Sequence, residues 1–128
     1  AYPLSDPRER LQALLKMFYE FFDKEAEHIE IMMQLRGEFK EEYQKRFAEG
    51  HNRHTARIAD LLREGIAKGQ FRNVDAAMGA LAISSLLLGT LQDFYYRRQD
   101  RRLVNYIKPM TDFVMNGLLK EEGNRKKL

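Results

Sequence analysis

Residues 76–91, AAMGALAISSLLLGTL, run for sixteen positions without a charge, closed off by Asp75 before them and by Gln92 and Asp93 after them. No other stretch of the chain is apolar around its whole circumference if read as a helix. A helix of that kind has to be covered on every side, by a core, a membrane or a subunit interface. The run would span ~24 Å, short of the ~30 Å hydrocarbon slab that a membrane span must cross. Leu62 to Phe71, just before it, are strongly charged and helical in character. The sequence therefore predicts a soluble helix with one side against its own domain and the other against a partner.

At 128 residues the chain is long enough for one real core and too short for two ordinary domains. Hydrophobic residues make up 44% and charged ones 32%, a balance that points away from disorder and from a membrane protein. There is no cysteine, which excludes disulfide staples and thiolate chemistry and accords with a reducing, cytoplasmic setting. The opening AYPLSDPRER lacks the basic-then-apolar pattern of a signal peptide, so no membrane partner is expected. The net charge of +3 is concentrated in Arg97, Arg98, Arg101 and Arg102 and in the tail Arg125, Lys126 and Lys127. These read as a solvated turn and a frayed terminus rather than a nucleic-acid surface.

Apolar positions recur every three or four residues, and runs of β-branched residues are missing, which predicts an all-α chain of five helices. Their expected spans are about 7–24, 25–36, 38–68, 74–98 and 102–120, all within one effector-binding and dimerisation domain covering 1–128. Asp6 can cap the first helix, with Pro7 at its first position and Glu9 able to reach back. Leu11, Leu14, Leu15, Phe18, Phe21, Phe22 and Glu25 follow the helical spacing. The third helix carries Phe39, Tyr43, Phe47, Gly50, His54, Ile58, Leu61 and Gly65 in one stripe. Gly50 costs ~1 kcal/mol there, yet the phase continues across it, so one helix of ~45 Å is expected. Gly69 ends it, and Asn73 or Asp75 caps the next. Leu103, Ile107, Met110, Val114 and Leu118 form a stripe on the last helix, where Pro109 predicts a kink or a late start.

Within the uncharged run, Ala82, Ser85 and Gly89 fall three and four apart and form a groove where a second backbone can come close. Met78, Leu81, Leu88 and Leu91 are expected to face the domain core. The last helix has the same two-sided look. Ala82, Ser85, Gly89 and Gln92, with Tyr106, Met110, Phe113 and Gly117, are the candidate interface of a homodimer in which two helices from each copy make a four-helix contact.

The first three predicted helices are dense in large, adaptable side chains, which suit a cavity for a small lipophilic or aromatic ligand. The candidate pocket is walled by Phe18, Phe22, Met33, Tyr43, Phe47 and His54, with Met78 and Leu81 closing it from the fourth helix. Tyr43, Gln34 and His54 are its candidate polar groups. No pair of basic residues is expected to share that face, which disfavours a polyanion. Catalysis finds little support. Glu25 and His28 have the Glu-x-x-His spacing of di-iron bundles, but the second such pair that those bundles need is missing. His51 and His54 lie one turn apart and read as a helix-surface pair rather than metal ligands. No catalytic residue, metal or cofactor is expected.

The order LLREGIAKGQFRNVDAAMGALAISSLLLGTL, followed by a helix ending FVMNGLLK, resembles the C-terminal domain of tetracycline-repressor (TetR) family regulators. The family's R-E-G-x-x-x-G-x-[FL] turn is matched by Arg63, Glu64, Gly65, Gly69 and Phe71. Its closing [LF]-x-x-G-L is matched by Val114, Gly117 and Leu118, and Asp6 to Leu11 look like the usual start of the first effector-domain helix. The resemblance implies a homodimer built on the last two helices and a small-molecule pocket among the preceding three. It also implies a helix-turn-helix DNA reader, which the residues before Asp6 are too few to supply, so these 128 residues are not expected to bind operator DNA. In the intact protein, ligand binding would shift the separation of the two readers. The alternative is a stand-alone helical interaction module that uses the small-residue groove for a different partner.

Overall fold

Asp6 starts the first helix, α1 (Pro7–Lys24), by accepting the Arg8 N–H on its carboxylate at 3.0 Å. Pro7 sits where a missing N–H costs nothing. In this computed structural model the described residues are 6–25, 27, 31, 34, 38, 40–97 and 102–120, apart from the side chains of Tyr43 and Phe47. The predicted second helix, 25–36, lies largely outside them. Leu11, Leu15 and Tyr19, at helical spacing, are fully buried and form the inner stripe of α1.

Helix α2 (Lys40–Ala67) runs through Gly50 without a break and buries Ile58, Ala59 and Leu62. Its end is built around two glycines. Gly69 adopts φ +76°, a left-handed conformation that glycine enters without a Cβ penalty and that commonly closes helices. The N–H groups of Gln70 and Phe71 both return to the Gly65 carbonyl, at 2.9 and 3.1 Å. The Phe71 ring is thereby laid on the helix backbone, where a Cβ at Gly65 would collide with it. Phe71 is 2% exposed. Arg72 N–H then donates to Leu118 O at 2.7 Å and Lys120 N–H to Gln70 O at 3.3 Å, so Phe71 and Leu119 form an antiparallel bridge. Arg8 N–H reaches Gln70 Oε1 at 3.3 Å. The start of α1, the end of α2 and the end of the chain's last helix are locked at one point.

Helix α3 (Ala76–Arg97) is capped by Asp75, whose carboxylate accepts the Met78 N–H at 3.1 Å. Its core stripe is Ala80, Ile83, Ser84, Leu87 and Leu91. A short 3₁₀ turn, η1 (Leu103–Tyr106), leads into α4 (Ile107–Leu118). Pro109 is the third residue of α4, where the N–H has no intrahelical acceptor in any case. The outcome is a late start of the α-helix rather than a kink. Helix α2 packs against α3 and α1, and α1 also packs against η1 and α4. Among the described residues the bridge at Phe71 is the sole β-type pairing, and the fold is all-α.

Two hydroxyl pairs tie the helices inside this packing. Thr55 on α2 meets Ser84 on α3 at 3.2 Å, and Tyr19 on α1 meets Thr90 on α3 at 2.7 Å. The Thr90 hydroxyl donates to Leu87 O at 2.9 Å, so Tyr19 is the donor to Thr90. At 22 residues α3 is long and apolar enough to cross a membrane by length and composition. Its neighbour decides against that use. Helix α2 is packed along α3 and exposes Arg63, Asp60 and Arg57, which a bilayer around α3 would have to take into hydrocarbon.

Candidate functional site

Two apolar surfaces are left open by this packing. The first is a cleft between α1 and α2 of about 530 Å³. Arg10 on α1 is ion-paired with Glu64 on α2, which sets the start of α1 against the end of α2, so the two helices run in opposite directions along the cleft. Leu14, Met17, Phe18, Phe21 and Phe22 line it from α1, and His54, Arg57 and Leu61 from α2. Phe18 stacks edge-on against Tyr19 (5.3 Å) and lies 5.0 Å from Phe22, which fixes the floor. Met17 and Phe21 stay 56% and 50% exposed. Side chains of that size are seldom left in water as a contiguous group unless something covers them. The His54 imidazole is held below its usual range, first by burial and then by the neighbouring positive groups His51 and Arg57.

The second surface is a groove of about 480 Å³ between α3 and α4, bordered by Met78, Ala82 and Leu86 on one side and Phe113 and Gly117 on the other. Met78 is 60% and Phe113 70% exposed. Ala82, Ser85 and Gly89 face outward beside them, and a Cβ placed at Gly89 or Gly117 would meet nothing within 4 Å. Between Met78 and Gly89 this face of α3 carries no charged side chain.

The two surfaces share no lining residue, and this corrects part of the sequence reading. Phe18, Phe22 and His54 do meet in one cleft. Met78 and Leu81 do not close it: they are exposed on α3, and Met78 borders the other groove. With one residue per 100°, Met78 lies opposite the stripe of Ile83, Leu87 and Leu91 and shares the face of Ser85 and Gly89. Of the four residues expected to face the core, Leu91 is fully buried and Leu88 half-buried. Gln34 is exposed, with its amide donating to Glu38 at 3.2 Å, so it is no polar contact of the cleft. Arg10 and Arg57 both line the cleft, contrary to the expectation that no basic pair would share it. Met33 and the side chains of Tyr43 and Phe47 lie outside the described residues.

On the interface side, Tyr106 turns inward, its ring 5.8 Å from that of Tyr19 and 6.1 Å from that of Phe94. The 3₁₀ turn sets its phase apart from the α-helical register that the spacing predicts. Met110 and Gln92 are half-buried. Of the basic cluster, Arg97 pairs with Asp93 at 2.8 Å and Arg102 with Asp23 at 2.5 Å, whereas Arg98, Arg101 and the basic tail lie outside the described residues. No group of three or more His, Asp or Glu among the described residues could hold a metal.

Sequence reasoning does not pick out Asp23. Its side chain, 8% exposed, accepts from Arg102 and, at 2.9 Å, from the Leu103 N–H. It stands next to Phe22, so the end of α1 that walls the cleft is joined to the turn from which α4 departs.

Comparison with known proteins gives one family and one fold. Residues 4–92 match the model of the tetracyclin repressor-like, C-terminal domain family. The structure is similar to that of the TetR family transcriptional regulator PfmR from Thermus thermophilus, with a TM-score of 0.75 and 22% sequence identity, over 92% of this chain and 64% of that one. At that identity the likeness is one of fold, and this chain spans 64% of the length of that regulator's. No match was found among curated proteins. The matched span contains the Gly65–Phe71 lock, the walls of the cleft and the outward face of α3 as far as Gln92, and by it this chain belongs to the tetracyclin repressor-like C-terminal domain family.

Proposed function

We propose that this chain is the ligand-sensing and dimerisation unit of a transcriptional regulator. The observation that carries the reading is the pair of separate apolar surfaces that the described residues leave open, on a fold of this family. The α1–α2 cleft takes a small lipophilic or aromatic effector, held mainly by Phe18 and Phe22. The outward face of α3 and α4, with Ala82, Ser85, Gly89, Phe113 and Gly117, packs against a second copy. DNA is read by a helix-turn-helix outside residues 1–128, and the chain performs no catalytic step.

Filling the cleft acts on the end of α1, and Asp23 passes a shift there to the start of η1 and α4. The effector would thus favour one of two dimer geometries, and only to the extent that it binds the two unequally.

A thermal-shift screen of lipophilic compounds, repeated with Phe22→Ala, tests the reading. A ligand at a hundred times its dissociation constant raises stability by ~2.7 kcal/mol, and the shift is expected to be lost in Phe22→Ala. If no lipophilic compound raises the melting temperature, or if hits ignore the substitution, the cleft is no effector site and the interaction-module alternative stands.

A further inference from the structure

Among the described residues, the walls of the α1–α2 cleft present two guanidinium groups, Arg10 and Arg57, together with the His54 imidazole and no carboxylate. These three are not equivalent. Arg10 is already engaged in an ion pair with Glu64, whose carboxylate also meets Lys68 at 3.6 Å. Arg57 is exposed and has no carboxylate partner among the described residues. His54 lies one helical turn before it on the same face of α2 and is half-buried. A guanidinium with no carboxylate partner among the described residues, beside a half-buried imidazole and above a floor of Leu14, Phe18 and Phe22, is complementary to a molecule with an apolar body and an acidic end. A guanidinium donates to both oxygens of a carboxylate at once, a geometry that an alcohol or amide cannot match. With Arg10 already in an ion pair, the match is to one charge rather than several.

We propose that the cleft takes an amphiphile with one carboxylate head and an apolar tail. Its head sits at Arg57 and His54, and its tail lies along α1 over Phe18 and Phe22. This rests on the effector reading above and narrows it to a chemical class.

Dodecanoate, dodecanol and dodecyltrimethylammonium, each below its aggregation concentration, serve as probes in isothermal titration of the wild-type chain and of Arg57→Gln. Arg57 is exposed and outside the core, so this variant keeps the fold. The wild type is expected to prefer dodecanoate to dodecanol by about tenfold or more, the worth of a charge-assisted contact. In Arg57→Gln the two are expected to bind alike, with dodecanol affinity unchanged. Equal binding of acid and alcohol by the wild type, a preference for the cation, or an acid preference that survives Arg57→Gln would each overturn the carboxylate assignment while leaving an apolar effector site in place. Binding of none of the three, together with a blank lipophile screen, would remove the site itself.

Discussion

The α1–α2 cleft and the α3–α4 face are both apolar and both left open by the described residues, but they differ in what lies at their centre. Phenylalanines, a methionine and basic groups surround the cleft. On the face, Ala82, Ser85, Gly89 and Gly117 bring the backbone close to the surface, with Met78 and Phe113 standing out beside them. Large side chains with several rotamers can re-pack around a small molecule while the backbone stays still. Small ones cannot wrap a ligand, yet they let another helix approach closely. Side-chain size and charge separate a ligand surface from a protein surface here, where hydropathy alone does not. The comparison is exposed to four measurements.

The largest effect is expected where the two surfaces share a support. Phe71→Ala empties the position under the Gly65–Phe71 turn and is expected to cost ~3–5 kcal/mol. Gly65→Ala drives a methyl into the ring, at the upper end of the ~1–3 kcal/mol of overpacking. Both should lower the urea midpoint and weaken dimerisation and ligand response together. If either variant kept full stability, the lock would not be what holds the helices in register.

Gly89→Leu separates the surfaces. In one copy nothing stands within 4 Å of an added Cβ, and replacing a mid-helix glycine favours the helix by up to ~1 kcal/mol. The isolated chain should therefore be as stable as before or slightly more so. Between two copies the same side chain forces the backbones apart, costing ~1–3 kcal/mol of association. Sedimentation across a concentration series reads this. A dimer unaffected by Gly89→Leu would place the partner elsewhere, and ligand shifts that persist in this variant would show that one copy is enough to form the cleft.

Tyr19→Phe removes the hydroxyl bonded to Thr90 between α1 and α3. A loss of ~1 kcal/mol is expected, moderated because Thr90 keeps its bond to Leu87 O. Chemical denaturation measures it. A loss above ~3 kcal/mol, the upper bound for one unsatisfied buried group, would mean that Tyr19 supports the cleft floor through more than this bond.

The smallest effect concerns pH. Burial and neighbouring positive groups hold His54 below its ordinary value in the folded chain, so the unfolded chain binds more protons as pH falls through ~6.5. The contribution to stability is present above that range and is lost as pH drops through it. His54→Gln should flatten this part of the profile between about pH 7.5 and about pH 5.5. An identical slope in wild type and variant would show that His54 stays solvated and is no part of the cleft wall.

Several elements are legible residue by residue. Asp6 and Pro7 mark the start of α1, Gly69 the end of α2, and Pro109 the delayed start of α4. The Arg63–Phe71 pattern points to the family before any coordinates. The core face of α3 is not legible, because the uncharged run has no charged residue to set its phase. Ser84, polar by type and so a natural marker of the solvent side, is buried beside Thr55, with which it shares a hydrogen bond. Size alone assigns Met78 and Leu81 inward, and size alone misleads. Tyr19 escapes notice as core because its hydroxyl needs a partner, and that partner, Thr90, lies on another helix.

By itself the sequence determined the starts of α1 and α3, the end of α2 and its glycine turn. Each of these depends on dihedral angles and hydrogen bonds within a few residues, and the local side chains carry that information whatever surrounds them. Only the tertiary structure decided that Met78 and Leu81 share the outward face of α3, that Tyr106 packs inward, and that Arg57 and His54 stand over the phenylalanines of α1. Those outcomes depend on which distant side chains meet across α1, α2 and α3. A helix apolar on all sides, or a basic residue on an exposed helix, has no local energy difference with which to choose.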